Sequence, residues 1–105
     1  MLIAQKKYDN IKNSINYNIQ SISNEINKLN KSLKNVNTIS KNLTHPAEQS
    51  LIESLRNKKI YQFNKKFNNT NNKINKLIKY INNKDKKIIN NKISKLYDEL
   101  IQTIQ

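Results

Sequence analysis

The 105-residue sequence contains no glycine, cysteine or tryptophan, and it has one proline and one histidine. Without glycine, the chain cannot form a glycine-rich phosphate loop, a dinucleotide-binding fingerprint or a glycine-based oxyanion turn. Without cysteine and with His45 alone, it lacks a disulfide framework, the usual ligands of a zinc site and a Cys–His nucleophile pair. These absences predict a non-enzymatic protein that carries no cofactor or metal.

Long hydrophobic runs are missing as well. No apolar stretch reaches the 18 residues or so of a membrane-spanning helix, so no span is predicted. Residues 1–7 lack the apolar region that follows the charges of a secretory signal. We therefore expect a cytoplasmic protein.

Acidic residues are scarce: 20 Lys and Arg face 7 Asp and Glu, for a net charge of +13. Lys, Asn and Ile dominate the chain, and their A/T-rich codons indicate that genome base composition contributes to this charge. Residues 56–95 hold 13 basic side chains and one acidic side chain, which is a net +12. This segment is either a solvated lysine-rich surface or a basic helix that binds nucleic acid, anionic lipid or acidic protein.

Apolar residues recur at intervals of three and four on both sides of Pro46, which is the pattern of a coiled-coil seam. The residues between them are mostly Asn, Lys and Ser, so each helix needs a partner helix. The sequence therefore predicts a single all-α domain, an antiparallel two-helix coiled-coil hairpin with unequal arms. The predicted elements are a first helix over about 3–42, a turn near 43–47 with Thr44 or His45 as N-cap, and a second helix over about 46–104.

The longer second arm has a consequence of its own. Its seam loses phase over residues 84–87, close to where the shorter first arm would end. Residues 87–105 are then an unpaired overhang whose apolar side chains favour pairing with a helical partner or a second copy. These side chains are Ile89, Ile93, Leu96, Leu100 and Ile104.

Two segments resemble a known family. The seam Ile22, Ile26, Leu29, Leu33 and Val36 precedes the turn, and the pattern I-x-x-L-R-x-K-x-I over residues 52–60 opens the return helix. Together they resemble the FliJ/InvI-like (SctO) proteins, the small basic coiled-coil stalk proteins of type III secretion and flagellar export. The resemblance covers roughly residues 8–100.

The resemblance implies a role in protein transport and virulence. It implies a stalk that associates with the export ATPase hexamer and links this ATPase to the export-gate protein or to secretion chaperones. The basic residues beside the matched segment would be the partner contacts. They are Arg56, Lys58, Lys59, Lys65 and Lys66.

Two other functions stay open. A basic helical nucleic-acid-binding protein fits the charge, although a single Arg disfavours recognition of base edges. A small helical immunity-type binding protein fits the size and basicity. It would require a compact bundle of three or four shorter helices, and hence a helix break between residues 50 and 104.

Overall fold

The computed structural model describes residues 2–42 and 45–104. It contains three helices, α1 (Leu2–Lys41), α2 (Pro46–Ile78) and α3 (Asn83–Ile104). Helix α1 packs against both α2 and α3, in an elongated molecule of 67 × 19 × 15 Å. The prediction of an all-α protein is confirmed, but the prediction of a two-helix hairpin is wrong, because the chain forms a three-helix bundle.

The reversal between α1 and α2 lies on either side of Pro46. The Asn42 amide donates to the Ile39 carbonyl at the end of α1. His45 is the N-cap of α2 in an extended conformation, and its carbonyl accepts from the amides of Glu48 and Gln49. Leu43 and Thr44 lie outside the described residues, so the alternative N-cap at Thr44 does too.

The second reversal is the feature that the sequence analysis missed. Helix α2 ends at Ile78, and the amides of Tyr80 and Ile81 donate hydrogen bonds to the carbonyls of Leu77 and Ile78, three residues earlier. The Asn82 side chain then accepts from the Asp85 amide at 2.8 Å, as an N-cap residue does at the start of a helix. The prediction of a continuous helix over 46–104 is wrong. This cap and the core contacts of α3 make a reversal of the chain more favourable than a continuation of α2.

The core is the seam of α1, covered on one side by α2 and on another by α3. The predicted overhang is wrong, because its apolar side chains are packed inside the bundle: Ile89, Leu96 and Leu100 are buried, and Ile93 and Ile104 pack against the core. The surface invoked for self-association through residues 87–105 is therefore covered by α1. The other buried hydrophobic residues of this core are Ile15, Ile19, Ile22, Ile26, Leu29, Leu33, Phe63, Ile74 and Ile81.

Three aromatic rings join α2 to α3. The ring centroids of Phe63 and Phe67 are 5.8 Å apart, and Phe67 meets the edge of Tyr97 with a centroid separation of 5.5 Å. Tilted and edge-on arrangements of this kind are favourable for aromatic pairs. Phe63 and Phe67 are four residues apart, so they project from one face of α2 towards the interior.

A polar cluster fixes the second reversal to the start of α1. The Tyr8 hydroxyl donates to the Asp85 carboxylate and accepts from the Asn82 amide, and the Lys12 ammonium lies 3.6 Å from Asp85. The hydrogen bond from Tyr8, assisted by Lys12, lowers the pKa of Asp85 below its ordinary value. Desolvation raises the pKa of Tyr8. A tyrosine hydroxyl is already protonated at neutral pH at its ordinary pKa, so Tyr8 is the donor to Asp85.

Acidification is expected to weaken the docking of α3. Because the pKa of Asp85 is lowered in the folded chain, its ionised form stabilises the fold at neutral pH, and this contribution is lost as the pH falls below about 4. The Asp85→Asn variant should therefore show a smaller acid-induced drop in melting temperature than the parent chain. Asp98→Asn is the matched control, because Asp98 is exposed and has no bonding partner among the described residues. Equal acid dependence in the two variants would contradict this role of Asp85.

Candidate functional site

Lysines on α2 follow the heptad pattern of its seam. Lys59, Lys66 and Lys73 are seven residues apart, each immediately before a seam position. Residues at this spacing lie on one side of a helix, next to its apolar stripe. Three further lysines lie beside them, one residue before Lys59, one residue before Lys66 and three residues after Lys73. We call this set the lysine flank: Lys58, Lys59, Lys65, Lys66, Lys73 and Lys76.

The lysine flank is about 27 Å long, at 1.5 Å for each of the 18 residues from Lys58 to Lys76. Asparagines occupy the other flank of α2: Asn57, Asn64, Asn68, Asn71 and Asn75. Asn69 and Asn72 are the exceptions, since helical spacing places both among the lysines, with Asn72 one heptad after Lys65. The two flanks of α2 are thus chemically different, one cationic and the other neutral.

The lysine flank borders an open groove between α1 and α2. The groove is lined by Glu25, Lys28, Leu29, Ser32, Lys59, Gln62, Phe63 and Lys66, and by none of the described residues of α3. Helix α3 lies on the other side of α1, where Lys92 donates to Asn16. Asn16 and Glu25 are nine residues apart, which is two and a half helical turns and therefore opposite sides of α1.

The charge of the lysine flank is largely uncompensated. Glu25 is the one acidic side chain among the described residues that line the groove, and it lies 3.6 Å from Lys28 and 3.8 Å from Lys66. The other five lysines of the flank form no ion pair or hydrogen bond with a described residue. Along the sequence, no acidic residue occurs between Glu53 and Asp85. The flank therefore presents a strong positive potential to solvent.

The structure separates the predicted contact residues into two groups. Lys58, Lys59, Lys65 and Lys66 lie together on the lysine flank. Arg56 is half-buried elsewhere, where its guanidinium donates to the Ile104 carbonyl and to the Asn37 side chain. A cation at the end of α3 is favourable for the helix dipole. Arg56 therefore joins the three helices to one another and is not a free contact.

Sequence reasoning also missed two members of the flank, Lys73 and Lys76. The heptad register would have found Lys73, since it lies seven residues after Lys66. Lys76 follows Lys73 by three residues and so shares its side of the helix. The prediction used closeness in sequence to the matched segment, where helical spacing was the better guide.

Three exposed apolar residues lie at the end of the molecule where α3 no longer covers α1 and α2. Ile39 is 48% exposed, Leu51 70% and Leu55 38%. Ile39 lies two heptads after Glu25, and Leu55 lies eleven residues, or three turns, before Lys66. These side chains, which we call the apolar tip, therefore continue the same side of the molecule as the groove and the lysine flank.

Other kinds of site find no support in the described part of the chain. It contains no group of three His, Asp or Glu side chains that could hold a metal ion. None of its helices has an apolar stretch sufficient for a membrane-spanning segment. No family model, curated protein or solved structure matches this chain. The resemblance to the FliJ/InvI-like proteins therefore stays a prediction.

Proposed function

We propose that this chain is a non-enzymatic docking protein that binds an acidic protein surface through its lysine flank. The observation that carries this proposal is that all six lysines of α2 lie on one flank, while five of its seven asparagines lie on the other. Biased base composition enriches both residues, because both have A/T-rich codons, but it does not place them on opposite flanks of one helix. The separation therefore supports a requirement for charge on one flank.

The apolar tip favours a protein partner over nucleic acid. Phosphate groups bind lysines through a sequence-independent electrostatic attraction and have no apolar surface to cover Leu51 or Leu55. A protein surface can bury both kinds of side chain, as interfaces with an apolar centre and a polar rim do. The near absence of arginine also disfavours direct readout of bases.

The three-helix architecture meets part of what the immunity-type alternative requires. An immunity-type binding protein requires a compact bundle of three or four shorter helices and a helix break between residues 50 and 104. The chain has three helices and a break after Ile78, but the bundle is elongated, with a length of 67 Å. The stalk role was inferred together with a two-helix hairpin, which the chain does not form. The export ATPase, the export-gate protein and secretion chaperones stay candidate partners that could present the acidic surface.

Neutralising part of the lysine flank tests the proposal. The variant Lys59→Gln/Lys66→Gln/Lys73→Gln should bind poly-L-glutamate about tenfold more weakly at about 150 mM salt, since several exposed charge pairs of modest strength are lost together. The matched control is Lys31→Gln/Lys34→Gln/Lys41→Gln, which removes the same charge from exposed positions on α1. Binding would be followed by titration calorimetry.

The control should lose less than about threefold, because its lysines lie away from the groove. An equal loss in both variants would mean that total charge, and not the flank, governs binding. A duplex DNA probe is titrated in parallel. Nucleic acid would be the better partner if DNA binds more tightly than poly-L-glutamate at about 150 mM salt and if this binding depends on the lysine flank.

A further inference from the structure

We infer that the open groove accepts one acidic amphipathic helix from a partner protein, lying along α1 and α2. In this arrangement, the partner's acidic side chains recur every seven residues and face Lys59, Lys66 and Lys73. Its apolar residues gather at one end, against the apolar tip. The inference rests on the proposed function, and it names the shape and pattern of the acidic surface.

The register between α1 and α2 places only one acidic residue opposite the three lysines Lys59, Lys66 and Lys73. The contacts Glu25–Lys66, Asn37–Arg56 and Ser40–Gln49 define an antiparallel pairing of the two helices. In that pairing Lys59 lies opposite Ser32, and Lys73 lies opposite Asn18. Coiled coils commonly place acidic residues opposite lysines at such flanking positions. Here α1 supplies only Glu25, so two of the three lysines remain open to an acidic side chain from outside.

The shape of the groove suits a helix. Its floor reaches the core at Leu29 and Phe63, and polar and charged residues form its two walls. The groove extends over about 10 Å of α2, from Lys59 to Lys66. The lysine flank and the apolar tip continue the same side of α2 from Leu51 to Lys76, which is 25 residues, or about 37 Å, and matches a helix of about seven turns. Leu29 and Phe63 are almost fully buried, so a helix in this groove would be recognised by charge along its length and by apolar contacts at the tip.

The apolar tip specifies the end at which the partner's apolar residues lie. Single exposed apolar side chains are common and need no explanation. Ile39, Leu51 and Leu55 are instead three such residues on one side, at the end of a cationic groove. A second copy of this chain is a poor occupant, because it would bring another lysine flank against the first. An acidic helix matches the charge and covers the apolar end.

A synthetic peptide provides a direct test with the full-length chain. The peptide has 25 residues, with glutamates every seven positions along one face and leucines at the end that meets the tip. A scrambled peptide of identical composition is the control. The helical peptide should bind at least tenfold more tightly at about 150 mM salt, and its circular dichroism should show added helix on binding.

Two exposed substitutions separate this inference from the proposed function. Leu51→Ser/Leu55→Ser should weaken binding of the helical peptide about tenfold and leave poly-L-glutamate binding unchanged, because only the peptide reaches the apolar tip. If both peptides bind equally and only the lysine-flank variant weakens them, charge-based docking stands and the helix inference is wrong. If the lysine-flank variant binds as the parent chain does, the proposed function fails too.

A lipid surface is the remaining occupant to test. Vesicles containing about 30% anionic lipid offer both negative charge and an apolar interior to the same side of the molecule. Binding to these vesicles that requires Leu51 and Leu55, without a preference for the helical peptide, would overturn the inference and assign the tip to a membrane. Vesicle binding unaffected by Leu51→Ser/Leu55→Ser, together with the peptide preference, would support the helical partner.

Discussion

A chain truncated after Asn82 is expected to lose most of its helical signal, although it keeps all of α1 and α2. Helix α3 buries Ile89, Leu96 and Leu100 against the core. Burial of each such side chain is favourable by about 1.5–3 kcal/mol, and truncation also exposes the side of the α1 seam that α3 covers. A chain of this size is stable by about 5–15 kcal/mol, so the truncated chain should be largely unfolded. Far-ultraviolet circular dichroism and a thermal melt measure the effect.

The control for the truncation keeps α3 and removes only its outer apolar side chains. Ile88→Ala/Ile101→Ala alters two exposed residues of α3, so it should melt close to the parent chain. A truncated chain that melts cooperatively near the parent's temperature would show that α1 and α2 form a stable hairpin without α3. That result would restore the two-helix architecture as an independent unit.

Phe63→Ala is expected to be severely destabilising for a single substitution, with a loss of about 3–5 kcal/mol in the free energy of unfolding. Phe63 is buried, stacks on Phe67 and forms the floor of the groove beside Leu29. Its removal leaves a cavity between α1 and α2 and also weakens the aromatic contact that reaches α3. Urea denaturation of parent and variant gives the difference.

Tyr61→Ala is the matched control for Phe63. Tyr61 is an aromatic residue of the same helix, two positions away, but it is 68% exposed. Its loss should change the free energy of unfolding by no more than about 0.5 kcal/mol. Similar losses for the two variants would contradict the packing described for α2, since only Phe63 points into the core.

Apolar spacing allowed α1 and the start of α2 to be predicted, but it did not reveal the second reversal. A heptad seam and Pro46 are strong local signals. The break after Ile78 has no glycine or proline, and the Asn82 cap contributes only about 1 kcal/mol. The burial of Ile89, Leu96 and Leu100 on α1 decides whether the chain continues as a helix or reverses. This contact joins residues far apart in the sequence, so local patterns do not predict it. Two local signs mark this place: the loss of seam phase over residues 84–87, and the pair Asn82 and Asp85, which are three residues apart as at a helix start.

The candidate site was predictable to the extent that it follows helical spacing. Lys58, Lys59, Lys65 and Lys66 were found because they lie close together in the sequence. Arg56 was predicted with them because of its place in the matched segment, yet position in the sequence carries no information about exposure. Its hydrogen-bond partner Ile104 is 48 positions away, so its internal role emerges only when α3 folds back.

The cluster around Tyr8 also constrains the order of events when the chain is made. Tyr8 bonds to Asn82 and Asp85, which are 74 and 77 positions further along. The α1–α2 reversal is local by comparison, since Ser40 and Gln49 are nine positions apart. Closing a long loop costs more entropy than closing a short one. A ribosome must therefore synthesise α3 before the apolar seam of α1 can be fully covered, and until then the seam of the nascent chain stays accessible to solvent and to chaperones.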